Sequence, residues 1–145
     1  MPNFTENRKA RYEYEILETF EAGLVLTGQE TKSIREGGAK LDGAYVTVTA
    51  GEMWLLGAHL RPYSRSARTE FYAADRSRKI LVHAKELLYL AGKTQQKGLT
   101  LVPLALYPRG RKIKLSFALC RGRKAHDKRE KLKQRDLERE TKLEY

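Results

Sequence analysis

Residues 99–120, LTLVPLALYPRGRKIKLSFALC, decide how the chain is read. Two apolar runs, Leu99–Tyr107 and Lys112–Cys120, flank the turn Pro108-Arg109-Gly110, the pattern of a β-hairpin. In the second run Ile113, Leu115, Phe117 and Leu119 alternate with Lys112, Lys114, Ser116, Ala118 and Cys120. A period of two sends the first set to one face of a sheet and the second set to the other. The same alternation recurs upstream, where Tyr12, Tyr14, Ile16 and Phe20 interleave with Glu13, Glu15 and Thr19. A strand is predicted there, bulged or bent at Gly23 before Leu24-Val25-Leu26. Ala44–Thr49 and Met53–Leu60 predict a second hairpin around Ala50-Gly51-Glu52, with Trp54, Leu56, Ala58 and Leu60 on one face. Lys79–Val82 predicts one more strand, and the first eight residues read as loose.

Two segments carry helical signals. Thr27-Gly28-Gln29-Glu30 has the Thr-x-x-Glu spacing of a capping box and predicts a short helix through Lys32, Ile34 and Arg35, stopped by Gly37-Gly38. His83 to Lys97 places Leu87, Leu90 and Ala91 at helical spacing before Gly98, with Gly92 able to split the segment in two. Residues 61–77 are polar, arginine-bearing and aperiodic, and predict a long surface loop of the kind that carries function. Several short antiparallel strands punctuated by two or three short helices predict a mainly β fold, a small closed antiparallel β-barrel.

The chain has 145 residues and a formal charge of +11, enough for one domain with a core and an appendage, and pointing to a polyanionic partner. Residues 1–103 hold 15 Lys/Arg against 12 Asp/Glu, whereas residues 104–145 hold 14 against 6. Residues 1–121 read as the barrel domain and residues 122–145, GRKAHDKREKLKQRDLERETKLEY, as a basic tail. Leu132, Leu137 and Leu143 are spaced by five and six residues, so no helical face gathers apolar surface, and the tail reads as disordered until a partner orders it. Seven cations between Arg109 and Lys124 (Arg109, Arg111, Lys112, Lys114, Arg121, Arg123 and Lys124) have no acid among them and form a stripe able to neutralise phosphates.

Chemistry finds little support. His59, His83 and His126 lack companions at metal-ligand spacing, so no metal site and no cofactor is expected. His59 reads as a packed strand residue. Cys120 lies beside Arg121 and Arg123, which could lower its pKa, but no positioned base accompanies it and it reads as an incidental thiol. No phosphate loop or dinucleotide fingerprint occurs, and an enzyme is not expected. A single cysteine, no signal peptide and no long apolar run place the chain in the cytoplasm, away from membranes.

Ordered motifs then add what composition cannot. Asn7-Arg8-Lys9-Ala10-Arg11 leading to Tyr14, Phe20-Glu21-Ala22-Gly23 and Gly28-Gln29-Glu30-Thr31-Lys32-Ser33-Ile34-Arg35 resemble the opening of the small protein B family, the SsrA-binding proteins of bacteria. The resemblance continues through Arg78-Lys79-Ile80-Leu81-Val82-His83, Gly92-Lys93-Thr94-Gln95-Gln96-Lys97-Gly98, Leu101-Val102-Pro103-Leu104 and the string from Arg121 to Glu130, spanning residues 7–140. It implies a barrel of oligonucleotide-binding (OB) type that binds the tRNA-like domain of transfer-messenger RNA (tmRNA, SsrA) as a monomer. It further implies that the tail reaches the decoding centre and mRNA channel of the 70S ribosome, against 16S rRNA, in rescue by trans-translation and peptide tagging.

Carried over by position, Asn7, Glu21, Leu81 and Lys114 match residues the family sets against RNA, and Arg8, Lys9, Arg11, Arg78, Lys79 and Lys112 accompany them. A carboxylate such as Glu21 supplies readout by accepting from base amino groups where cations supply only grip. Gly122, Arg123, Lys124, His126, Asp127, Lys128 and Arg129 match the segment that meets the ribosome, where His126 could stack on a base. Ala73-Ala74-Asp75, Thr31 and the short Tyr107-Pro108-Arg109-Gly110 turn depart from the family pattern and bear on loop geometry. Two other readings remain open at this stage. One is a ribosomal protein or rRNA chaperone; the other is a single-strand DNA-binding module, for which Tyr63, Phe71 and Tyr72 would be the stacking aromatics.

Overall fold

A computed structural model describes residues 2–67, 71–122 and Arg135. The expectations for the tail, Arg123, Lys124, His126, Asp127, Lys128 and Arg129 among them, fall outside the described residues. In chain order the elements are β1 (Thr5–Glu6), α1 (Ala10–Glu13), β2 (Tyr14–Leu24), α2 (Gly28–Arg35), β3 (Ala39–Lys40), β4 (Tyr45–Thr49) and β5 (Glu52–Leu56). They continue with β6 (His59–Leu60), β7 (Arg78–Leu81), α3 (Ala84–Lys93), β8 (Leu99–Arg109) and β9 (Lys112–Gly122). The protein is mainly β.

The hairpin that opened the reading is the longest antiparallel pairing, Leu99↔Arg121 to Arg109↔Lys112. Its turn is Gly110-Arg111, one residue later than the sequence suggested. β9 also pairs with β2, β2 with β7, β7 with β5, β5 with β4, and β4 with β8 through Val46↔Leu101. Ile34, Met53, Leu55, Ile80, Leu90, Leu101, Leu115, Phe117 and Leu119 fill the interior.

Local signals explain most elements. Thr27 caps α2 as its spacing predicted: its hydroxyl accepts from the Glu30 N–H while the Glu30 carboxylate accepts from the Thr27 N–H. α3 runs unbroken through Gly92 to Lys93, because Leu90 is anchored in the core and a single glycine costs only about 1 kcal/mol in a helix.

Four expectations are corrected. The N-terminus is not loose, since β1 pairs with β8 at Thr5↔Leu106 and Glu6↔Ala105. Tyr12 belongs to α1, so β2 begins at Tyr14. The irregularity in β2 lies between Ile16 and Glu18 instead of at Gly23, which stays in register with Lys114 and Leu81. In the second hairpin the buried face is Met53 and Leu55, with Trp54 and Leu56 only half-buried. Gly57 (φ +76°) ends β5 there, and the chain resumes as β6 against β3, which returns Ala58 and Leu60 to the interior. A Cβ at Gly57 would stand 3.3 Å from the Gly43 carbonyl oxygen and 3.4 Å from the Ala44 Cα, so only glycine makes this corner cheaply.

Candidate nucleic-acid interface

The strand registers assemble the site. Tyr107 faces Lys114 across β8 and β9, Lys114 faces Gly23 across β9 and β2, and Gly23 faces Leu81 across β2 and β7. One row across four strands thus carries Tyr107, Lys114, Gly23 and Leu81. The next row sets Ser116 beside Glu21. These positions alternate with the core residues Ile113, Leu115 and Phe117, so they point outward. Leu81 is 51% exposed. Leu81, Lys112, Lys114, Arg111, Thr31 and Gly23 are among the residues lining an open cleft of about 400 Å³. Gly23 keeps its floor low: a Cβ there would sit 3.6 Å from the Leu81 Cβ and 3.8 Å from the Lys114 Nζ.

The same face continues along β9 to Ala118 and Cys120, which α1 covers by packing Ala10 against them with Val102 and Leu104. This places the exposed Arg8, Lys9 and Arg11 at the far end of the face that holds Lys112 and Lys114. Arg35 joins from α2, its guanidinium donating to the Arg111 carbonyl at 2.7 Å and lying 5.8 Å from the Phe4 ring. The cation stripe, acid-free in sequence, meets acids in space: Glu21 engages Arg109 at 2.8 Å and Glu15 lies 3.9 Å from Arg121. Tyr107 also donates to Glu21. That bond lowers the Glu21 carboxyl most, and with the charge and hydrogen bond of Arg109 and the charge of Lys114 it outweighs the opposing effect of burial, holding the group below its ordinary value.

Several predicted residues do other work. Arg78 is 0% exposed and cannot touch RNA. Its Nε donates to Glu30 at 2.6 Å, and its terminal nitrogens donate to the carbonyls of Ala58, Ala74 and Ala73. Arg76 adds a second ion pair to Glu30 at 2.5 Å, so the network ties the exit of loop 61–77 to α2. Asn7 is 7% exposed; its amide donates to the Pro103 carbonyl at 2.9 Å, where β8 slips register between Pro103 and Ala105. Lys79 lies on the β5 side of β7 and pairs with Glu52 at 3.3 Å.

His59 is exposed instead of packed, with Nδ1 2.8 Å from an Asp75 oxygen. Burial pushes the Cys120 thiol up to about 11, opposite to the lowering its arginine neighbours suggested. Among the loop aromatics Phe71 is fully exposed, whereas the Tyr63 ring lies 5.5 Å from the Lys32 ammonium and Tyr72 donates to the Leu60 carbonyl. Arg135 places its guanidinium 5.2 Å from the Tyr12 ring. Among the described residues no cluster of His, Cys, Asp and Glu could hold a metal, and no helix is long and apolar enough to cross a membrane.

A mainly β fold with a cation-rich face, the Glu21 carboxylate set into it and an adjoining cleft defines a protein of the nucleic-acid-binding class. The SmpB protein family model matches residues 4–145. An SsrA-binding protein of Trichormus variabilis is 51% identical over 95% of this chain and 92% of its own length. That of Oleidesulfovibrio alaskensis is 47% identical over 96% and 89%. A solved chain described as "tmRNA-SmpB: a journey to the center of the bacterial ribosome" is 44% identical, with a TM-score of 0.69 over 83% of this chain and 85% of that one. The chain belongs to the SmpB family.

Proposed function

We propose that this protein binds the tRNA-like domain of transfer-messenger RNA and delivers it to stalled ribosomes for trans-translation rescue and peptide tagging. The observation that carries the reading is the meeting of Glu21, Leu81 and Lys114, far apart in sequence, on one outward face of an SmpB-family chain. Lys112, Lys114, Arg8, Lys9 and Arg11 neutralise phosphates, Leu81 offers an apolar contact beside Gly23, and Glu21 reads a hydrogen-bond donor on the RNA. The pairings that lead from β8 through β4, β5, β7, β2 and β9 back to β8 support a closed barrel of oligonucleotide-binding type. Residues 1–121 act as the RNA-binding unit, and residues 122–145 reach the decoding centre and mRNA channel. The protein acts by binding, as a monomer in the cytoplasm, with no cofactor.

Affinity for the isolated tRNA-like domain across a salt series tests the reading. Lys114→Ala should weaken binding and lower the salt slope by about one phosphate contact. Truncation after Arg121 should leave most of that affinity while abolishing tagging on stalled ribosomes. An unchanged slope, or tagging at the full-length rate, would contradict these assignments.

A further inference from the structure

Glu21 is held in an unusual way. Tyr107 and Arg109 both donate to the same carboxylate oxygen, Oε2, and among the described residues Oε1 has no partner. The two donors reach Glu21 from β8, across the intervening strand β9. An exposed ion pair such as Glu21–Arg109 adds little to stability, so two converging donors exceed what folding needs there. What they do is fix the carboxylate's rotation: with both donors taken by Oε2, Oε1 is left to accept from another group on the face that carries Lys114 and Gly23.

We propose that Tyr107 is a positioning residue for RNA recognition, its hydroxyl locking Glu21 so that Oε1 is pre-aimed at a hydrogen-bond donor of the RNA, a base amino group or a ribose 2′-hydroxyl. This rests on the reading of Glu21 as an RNA-reading residue. Tyr107 suits the task because it is half-buried and its backbone is held in the β8–β9 ladder opposite Lys114. Burial, then its bond to Glu21, push its phenol up to about 12, so it stays a donor at any pH at which the protein works. Arg109 completes the pair but is itself an exposed cation, so its removal would also change the charge seen by phosphates. Tyr107→Phe removes only the hydroxyl and isolates the effect.

The expected loss is the cost of freezing one freed carboxylate side chain on binding, about two- to tenfold in Kd. The experiment is a double-mutant cycle on the full chain with the tRNA-like RNA, comparing wild type, Tyr107→Phe, Glu21→Ala and the double variant at several salt concentrations. Tyr107→Phe should lose affinity in the wild-type background and nothing further in the Glu21→Ala background. The salt slope should not move, because no phosphate contact is removed. The preference for this RNA over an unrelated RNA should shrink by the same factor. Urea midpoints check that all four proteins are folded.

An equal loss in both backgrounds would show that Tyr107 contacts RNA by itself and would overturn the proposal. No loss in the wild-type background would overturn it as well. Glu21→Ala without effect in a protein that still binds would sink the reading of Glu21 and this inference together. A loss confined to Glu21→Ala would leave that reading intact and remove Tyr107 alone.

Discussion

Arg78→Met separates a structural arginine from an RNA-binding one. The side chain is 0% exposed and its partner Glu30 is 1% exposed, so the substitution takes one of two cations from a buried carboxylate. Glu30 would keep its bonds from Arg76 and the Thr27 N–H; the Ala58 carbonyl would lose its Arg78 donor, while the carbonyls of Ala73 and Ala74 would keep only their bonds from the Arg76 and Leu60 N–H groups. Breaking a buried pair from one side costs about 3–5 kcal/mol. With a urea m-value of about 2 kcal/mol/M, the unfolding midpoint should fall by about 1.5–2.5 M. The effect should depend on pH with a definite sign. Burial pushes the Glu30 carboxyl up, but its bonds to Thr27, Arg76 and Arg78 outweigh that and leave it below its ordinary value. A depressed carboxylate contributes stability present at neutral pH and lost as pH falls through its folded value. The gap between Arg78→Met and wild type should therefore narrow below about pH 4. Adding Glu30→Gln to Arg78→Met should recover part of the midpoint, because no buried carboxylate then lacks its second cation. An Arg78→Met protein with an unchanged midpoint but weakened RNA binding would refute this account of the residue.

Thr27→Ala removes the hydroxyl half of the capping box and should cost about 1 kcal/mol in denaturant unfolding, with RNA affinity per folded molecule unchanged. Gly23→Val keeps an allowed strand conformation but fills the cleft floor between Leu81 and Lys114. It should therefore fold normally and weaken RNA binding by about tenfold, one lost contact of about 1.4 kcal/mol. Cys120 is buried with its thiol pushed up to about 11, so a disulfide-exchange reagent at pH 8 should label it only as fast as the protein opens, and Cys120→Ala should retain RNA binding. Rapid labelling of the native state would place Cys120 on the surface.

What could be read in advance was what is local. The Thr27 capping box, the alternation of β9 and the glycine stop after α2 each depend on residues within a few positions of one another, whereas α3 ends at Lys93, short of the Gly98 stop its pattern predicts. The second hairpin was misread because Gly57 resets the alternation, and a period-two count has no means of seeing a corner. Tyr12 fits a strand pattern but sits in α1, where Ala10 must cover Ala118 and Cys120 from across the sheet. The family resemblance names a set of site residues, but nothing local in the sequence shows how they are wired to one another. Glu30 and Arg78 are 48 positions apart, and Glu21 and Tyr107 are 86 apart, separations at which only the fold reveals the pair. Arg78 was therefore counted with the surface cations although it neutralises an internal carboxylate.

The central claim is that this cation-rich face selects one structured RNA, and native capture tests it most directly. The full chain, recovered from cells at physiological salt with its bound RNA sequenced, should carry transfer-messenger RNA far above its cellular share, and Glu21→Ala should lose that enrichment. Recovery of bulk ribosomal RNA in proportion to its abundance, equally with both proteins, would contradict the account and favour a general rRNA-binding protein.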